Sequence, residues 1–444
     1  MATQTRSTDA SAPLIVRGVI RGGNRLRGSF RVPGAKNAVL PMMAAALLTD
    51  DTCVIENVPM IADVLMMAAL LRDLGAMVAV DEAGRTIAIT AASVRATAPN
   101  PDLVVRMRAS FQVTGPLLAR FGRFDCRQPG GCTLGARPVN VDIEGFQQMG
   151  ASVAFARGVY HASADALRGC RIYLDYPSHT GTQNLIMAAA LASGYTTIVH
   201  ASREPEVVAL ARYLRSMGAE IHGEGTSVVG VQGQRRLFGT TARAIPDRIV
   251  GGSMSVAAAL TNGDVELTHV FPDHLEPVLV KLRAMGVTVE ETNRSVRVRG
   301  TEALAPTAVQ CMPFPGFPTD VQAPIGVLMT QAHGGSAIIE RVYDGNMGYT
   351  QHLNTMGAHI KVDGATAHVR GPSRLRGQRI RLWEDIRAGA ALTMAGLVAD
   401  GETVIEGMEV VQRGYEDLAG DLRALGADIA TSQIEVPSNG EPSP

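Results

Sequence analysis

A chain of 444 residues with 46% hydrophobic and 19% charged side chains carries enough apolar surface for two or three domains with substantial cores. Its formal net charge of -1, without a basic or acidic block, gives no electrostatic support for binding nucleic acid or a membrane surface, and no apolar run approaches the roughly 18 residues of a membrane span. Five cysteines (Cys53, Cys126, Cys132, Cys170 and Cys311) form no CxxC pair and are odd in number; with no signal-like apolar segment at the start, free thiols and a cytoplasmic location are expected.

Residues 1–13 and 437–444 are rich in Ser, Thr, Pro and small residues and are expected to be disordered tails. Between them one phrase recurs. It is first met as Leu71-Arg72-Asp73-Leu74-Gly75-Ala76 and returns with its glycine at Gly150, Gly218, Gly286, Gly357 and Gly426, every 68 to 75 residues. Each copy predicts an amphipathic helix stopped by a C′ glycine and followed by an alternating strand. A second, Ala-rich pattern recurs in step over 38–48, 109–121, 183–192, 250–260, 321–332 and 388–399. These stretches are apolar nearly all round and are expected to be helices buried at the centre of each half. Six copies imply an α/β protein of two similar domains, each three repeats of a βαβαββ-type unit around buried helices. The expected division is 35–245 for one domain and 14–34 with 246–436 for the other.

Chemistry gathers where the buried helices start: Lys36-Asn37, Arg108, Ser178 with Thr182, Asp247-Arg248, Asp320, and Asp385 with Arg387. Helix N-termini present free N–H groups and a partial positive charge, so six of them facing one cleft would trap an anion. Asp247 reads as a simple N-cap. Lys36, Arg108 and Arg387 oppose the helix dipole, and three cations so placed point to a bound anion. Between the second and third buried helices lies Gln128-Pro129-Gly130-Gly131-Cys132-Thr133-Leu134-Gly135-Ala136-Arg137-Pro138, a Gly-rich loop with one thiol five residues ahead of an arginine. A thiol near a guanidinium has its thiolate favoured, which suits proton transfer to, or attack on, an anionic substrate. The lone histidines His161, His179, His200 and His352 lack ligand spacing, so no metal is expected.

Gly34-Ala35-Lys36-Asn37-Ala38, Met107-Arg108-Ala109-Ser110, the 130–139 loop, Arg203-Glu204-Pro205-Glu206, Phe317-Pro318-Thr319-Asp320, Asp385-Ile386-Arg387-Ala388 and Arg413-Gly414-Tyr415 together resemble the enolpyruvyl transferase family. The resemblance covers about 14–434 and implies the family's inside-out α/β barrel. It implies two substrates, phosphoenolpyruvate and a uridine nucleotide, and no cofactor. Cys132 would be the general acid at C3 of the enol. Lys36, Arg137 and Arg413 would hold phosphate and negative charge, with Asn37 and Asp385 beside them and Arg387 on the carboxylate. Asp320 would take the proton of the attacking hydroxyl. Arg108, Pro138, Val139, Asn140, Val141, Ser178, His179 and Val342 would face the nucleotide acceptor. The intact catalytic set argues against a dead paralogue that only binds nucleotide.

The chain departs from the family mainly on the acceptor side. Ala62 precedes Asp63, and Val105 stands three residues before Arg108, where lysines are common. Asn140 replaces an aspartate on the uracil side, Asp175–Thr182 is an altered turn, and Asn346 stands where an arginine would help with the carboxylate. Lost cations favour a smaller acceptor, so the 3′-hydroxyl of UMP, as in nikkomycin- and polyoxin-type antibiotic pathways, is expected ahead of UDP-N-acetylglucosamine of peptidoglycan precursor synthesis.

Overall fold

The structure, a computed structural model, describes residues 14–130, 139–343, 345–382 and 385–435. Among them, the repeating phrase is a helix-stop device used six times. Gly75, Gly150, Gly218, Gly286, Gly357 and Gly426 have φ of 98°, 98°, 99°, 89°, 104° and 105°, the left-handed region in which a Cβ is strained. One residue later the Ala or Val N–H donates five residues back, as in Ala76 to the Leu71 carbonyl (3.0 Å), Val287 to Leu282 (3.0 Å) and Ala427 to Leu422 (3.0 Å). That bond and the glycine make a Schellman stop, so the glycine of each phrase has a geometric reason. The preceding helices are amphipathic: Pro205–Ser216 buries Val207, Leu210, Ala211 and Leu214 and exposes Arg212 and Arg215.

The Ala-rich stretches form the inner helices Lys36–Ala45, Thr114–Phe121, His179–Ala189, Arg248–Leu260, Gln322–Met329 and Ile386–Gly396. Arg248–Leu260 is buried without a break from Val250 onward. The second and fifth begin with the 3-10 turns Arg108–Val113 and Thr319–Val321. Each inner helix is served by one sheet. Five sheets among the described residues have four strands: one parallel pair, then two antiparallel additions, as βαβαββ requires. The sixth, built on Arg123–Arg127, has three. Where its parallel partner would run, a single bond from Asp125 N to the Thr97 carbonyl (3.0 Å) stands instead.

Buried side chains form two clusters, one from residues 39–244 and one from 20–32 with 250–429. The chain passes between them twice, and the passages are laced together: Ala35 N to Ile245 O (2.7 Å), Asp247 N to Pro33 O (2.9 Å) and a bridge between Gly34 and Pro246. Gly34 is glycine because of what lies beside it: a Cβ there would sit 1.7 Å from the Asn57 carbonyl oxygen. Gly34→Ala must force the passage apart, and a loss of roughly 1–3 kcal/mol, the usual cost of overpacking, is expected; thermal denaturation checks it, and an unchanged melting temperature would contradict the collision. No helix among the described residues is long and apolar enough to cross a membrane.

Candidate active site

All six inner-helix starts open onto one cleft of about 540 Å³ between the two cores. Lys36, Asn37, Arg108, Asn140, Val141, Ser178 and His179 line it from the first half; Asp320, Val342, Asp385, Arg387 and Arg413 line it from the second. Cys132, Arg137 and Pro138 lie outside the described residues. Val139 does not face the cleft: at 2% exposure it is a core residue, and the helix Asn140–Gln148 starts immediately after it. Thr182 is likewise internal, its hydroxyl accepting from Ser202 N at 3.0 Å.

The caps are built as their residue types demand. Ser178 Oγ accepts from Gly181 N (3.1 Å), and Asp385 Oδ1 from Arg387 N (2.9 Å). Asp247 Oδ1 caps its own helix through Ile249 N (2.8 Å) and Val250 N (3.1 Å), while Oδ2 accepts from Lys36 N (3.1 Å) in the other half. Asp247 is therefore more than the N-cap its sequence suggests. Burial raises its carboxyl pKa against those backbone donors.

The cations at the helix starts are held by carboxylates. Arg387 Nε donates to Asp320 Oδ1 at 2.5 Å and its guanidinium lies 5.1 Å from the centre of the Tyr343 ring. Arg248 donates to Glu206 at 2.9 Å across the two halves, with the Phe314 ring on its other side. Burial pushes the Glu206 carboxyl up, but Arg248 and His179 hold it below the usual range. Behind Arg108 the buried Asp142 accepts from Asn184 Nδ2 (2.7 Å); burial pushes its carboxyl up to about 6 against the opposing pull of Asn184 and Arg108. Lys36 Nζ (3.2 Å) and Arg413 Nε (3.0 Å) both donate to Asp63.

Asp63 and Asp142 were not singled out by sequence. Position 63 stood next to a noted departure at Ala62, yet an acid in a helix's first turn passes as ordinary capping. Of the departures, Tyr176 and His179 do line the cleft, whereas Ala62 and Val105 are not among the residues lining it. Asn346 is 2% exposed and its amide donates to Thr319 Oγ1 (3.0 Å) and Glu340 Oε2 (3.3 Å). It knits the wall of the second half through Thr319, which itself lines the cleft. Gly130 leads the thiol loop because a Cβ would lie 1.9 Å from the Val105 carbonyl oxygen, a close approach more than a freedom to turn.

The family model for EPSP synthase (3-phosphoshikimate 1-carboxyvinyltransferase) matches residues 20–422. UDP-N-acetylglucosamine 1-carboxyvinyltransferase 1 of Halalkalibacterium halodurans is 43% identical over 413 residues, covering 93% of each chain. UDP-N-acetylglucosamine 1-carboxyvinyltransferase of Magnetococcus marinus is 44% identical over 412 residues, covering 93% of this chain and 98% of its own. Among solved structures, the enolpyruvyl transferase NikO from Streptomyces tendae superposes with a TM-score of 0.86 at 26% identity, covering 95% of this chain and all of its own. With six helix starts around one cation-lined cleft and likeness along almost its whole length, the chain belongs to the EPSP synthase family and is an enolpyruvyl (carboxyvinyl) transferase.

Proposed function

We propose that the protein transfers the enolpyruvyl group of phosphoenolpyruvate to a hydroxyl of the sugar of UDP-N-acetylglucosamine, releasing phosphate. The observation that carries the acceptor is the 43–44% identity, along more than nine-tenths of the chain, to the two carboxyvinyltransferases named for that substrate. It outweighs the expectation of UMP, which rested on differences at single positions such as Ala62, Val105 and Asn346.

The residues divide as follows. Lys36, Arg413 and Arg137 hold the phosphate, and Arg387 the carboxylate, as planar guanidinium groups suit oxyanions. Cys132 gives its proton to C3 as the acceptor oxygen bonds to C2 and its own proton passes to Asp320. The Cys132 thiolate then takes a proton back from C3, the C2–O bond to phosphate breaks with its electron pair on phosphate, and the double bond returns as an enol ether. Arg108, Asn140, Val141, Ser178, His179 and Val342 face the nucleotide sugar. Positive charge converging on the cleft stabilises the transferring group in place of a metal. The residues 35–245 and 14–34 with 246–436 form the two domains that supply these groups.

Incubation with phosphoenolpyruvate and either UDP-N-acetylglucosamine or UMP, with phosphate release followed, tests the acceptor. The expected result is a higher kcat/KM for UDP-N-acetylglucosamine. A higher value for UMP overturns the choice of acceptor and leaves the reaction class standing.

A further inference from the structure

Asp63 is the second residue of the helix Ala62–Asp73, a position where an acid ordinarily sits at the surface and serves the helix dipole. Here its side chain is only 5% exposed. A buried carboxylate is costly unless paired, and Asp63 is paired twice. Its Oδ2 takes Lys36 Nζ at 3.2 Å and its Oδ1 takes Arg413 Nε at 3.0 Å. Lys36 Nζ also reaches the backbone carbonyl of Arg413 at 3.3 Å. Lys36 begins the first inner helix, and Arg413 ends the 3-10 turn Met408–Arg413 in the other half of the molecule. One carboxylate thus ties a cation from each half into a single cluster, and all three residues line the cleft. Because Asp63 engages Arg413 through Nε, it leaves the end-on fork of the guanidinium outside that bond.

Resting on the reading of Lys36 and Arg413 as phosphate ligands, we propose that Asp63 is a positioning residue that presets these two cations as a pair for the phosphate of phosphoenolpyruvate. It does not touch the reacting atoms. Its negative charge lets two like charges sit side by side in a partly buried place, where they would otherwise repel, and it removes rotamer freedom from two long side chains before substrate arrives. The ordering is done in the folded enzyme and is not repeated at each binding event.

The test compares full-length wild type, Asp63→Asn and Asp63→Glu by calorimetric binding of phosphoenolpyruvate, by KM for each substrate, and by melting temperature. In Asp63→Asn, Kd and KM for phosphoenolpyruvate are expected to rise about ten- to a hundredfold, the scale of one lost charge-assisted bond. KM for the acceptor is expected to stay unchanged. Asp63→Glu keeps the charge but moves it by one methylene, and is expected to bind phosphoenolpyruvate a fewfold more weakly than wild type. Unchanged affinity for phosphoenolpyruvate in Asp63→Asn, or an equal rise in both KM values, overturns the proposal. Should Asp63→Asn not fold, Asp63→Glu decides alone, and wild-type affinity in it overturns the proposal. Binding is read without turnover, so a wild-type enzyme that binds phosphoenolpyruvate but uses neither acceptor overturns the proposed acceptor and leaves Asp63 standing. A wild-type enzyme that does not bind it overturns the phosphate-ligand reading and the role of Asp63 together.

Discussion

Cys132→Ser is expected to lower kcat by about 10²–10⁴-fold, the usual contribution of a positioned general acid. A serine hydroxyl is far too weak an acid to protonate C3 at neutral pH, whereas Cys132→Asp supplies an ionisable group and is expected to keep part of the turnover. The same thiol is the expected target of fosfomycin, an epoxide that mimics phosphoenolpyruvate. The four other cysteines give the reason for selectivity. Cys53, Cys126 and Cys311 are buried, and Cys170 is partly so. Burial pushes all four thiols up, Cys126 to about 12, so little thiolate is present at neutral pH to open an epoxide. Peptide mapping after labelling checks this: alkylation at Cys126 or Cys170, or a Cys132→Ser enzyme with full activity, would count against the assignment.

Asp320→Asn is expected to cost kcat about 10²–10⁴-fold as well, through loss of the group that accepts the acceptor's proton. The asparagine carbonyl can still accept the Arg387 Nε–H that Asp320 accepts at 2.5 Å, so the arginine stays placed and KM for phosphoenolpyruvate is expected to change little. Asp320→Ala removes both functions and is expected to raise that KM in addition. Steady-state kinetics on the pair separates the roles. An Asp320→Asn enzyme with near wild-type kcat eliminates the proton-acceptor assignment, and equal KM values in both variants eliminate the positioning of Arg387.

The parts of the fold visible in the sequence were those fixed by local geometry. A Schellman stop favours a glycine in the left-handed region, and six outer helices end on one, each followed by Ala or Val. The inner helices were legible because they are Ala-rich and apolar nearly all round, and the cations at their starts because they contradict the dipole. What stayed hidden depends on partners brought close only by the tertiary fold. Asp63 draws its meaning from Lys36, 27 positions away, and Arg413, 350 positions away. Asn346 likewise shows its bond to Thr319, 27 positions away, only in the fold. Val139 sat in a matching motif, yet its side chain is 2% exposed and belongs to the core of the first half. The thiol loop from Gly131 to Pro138, legible as chemistry, falls outside the described residues.

The laced passage at 33–35 and 245–247 makes the first half an insert in the second. Its two ends are hydrogen-bonded to each other, Ala35 to Ile245, and the ends of the host that receive it are joined in the same way, Pro33 to Asp247. Each half is thereby a closed module whose entry and exit coincide, the arrangement in which one domain can be grafted into another without threading a core.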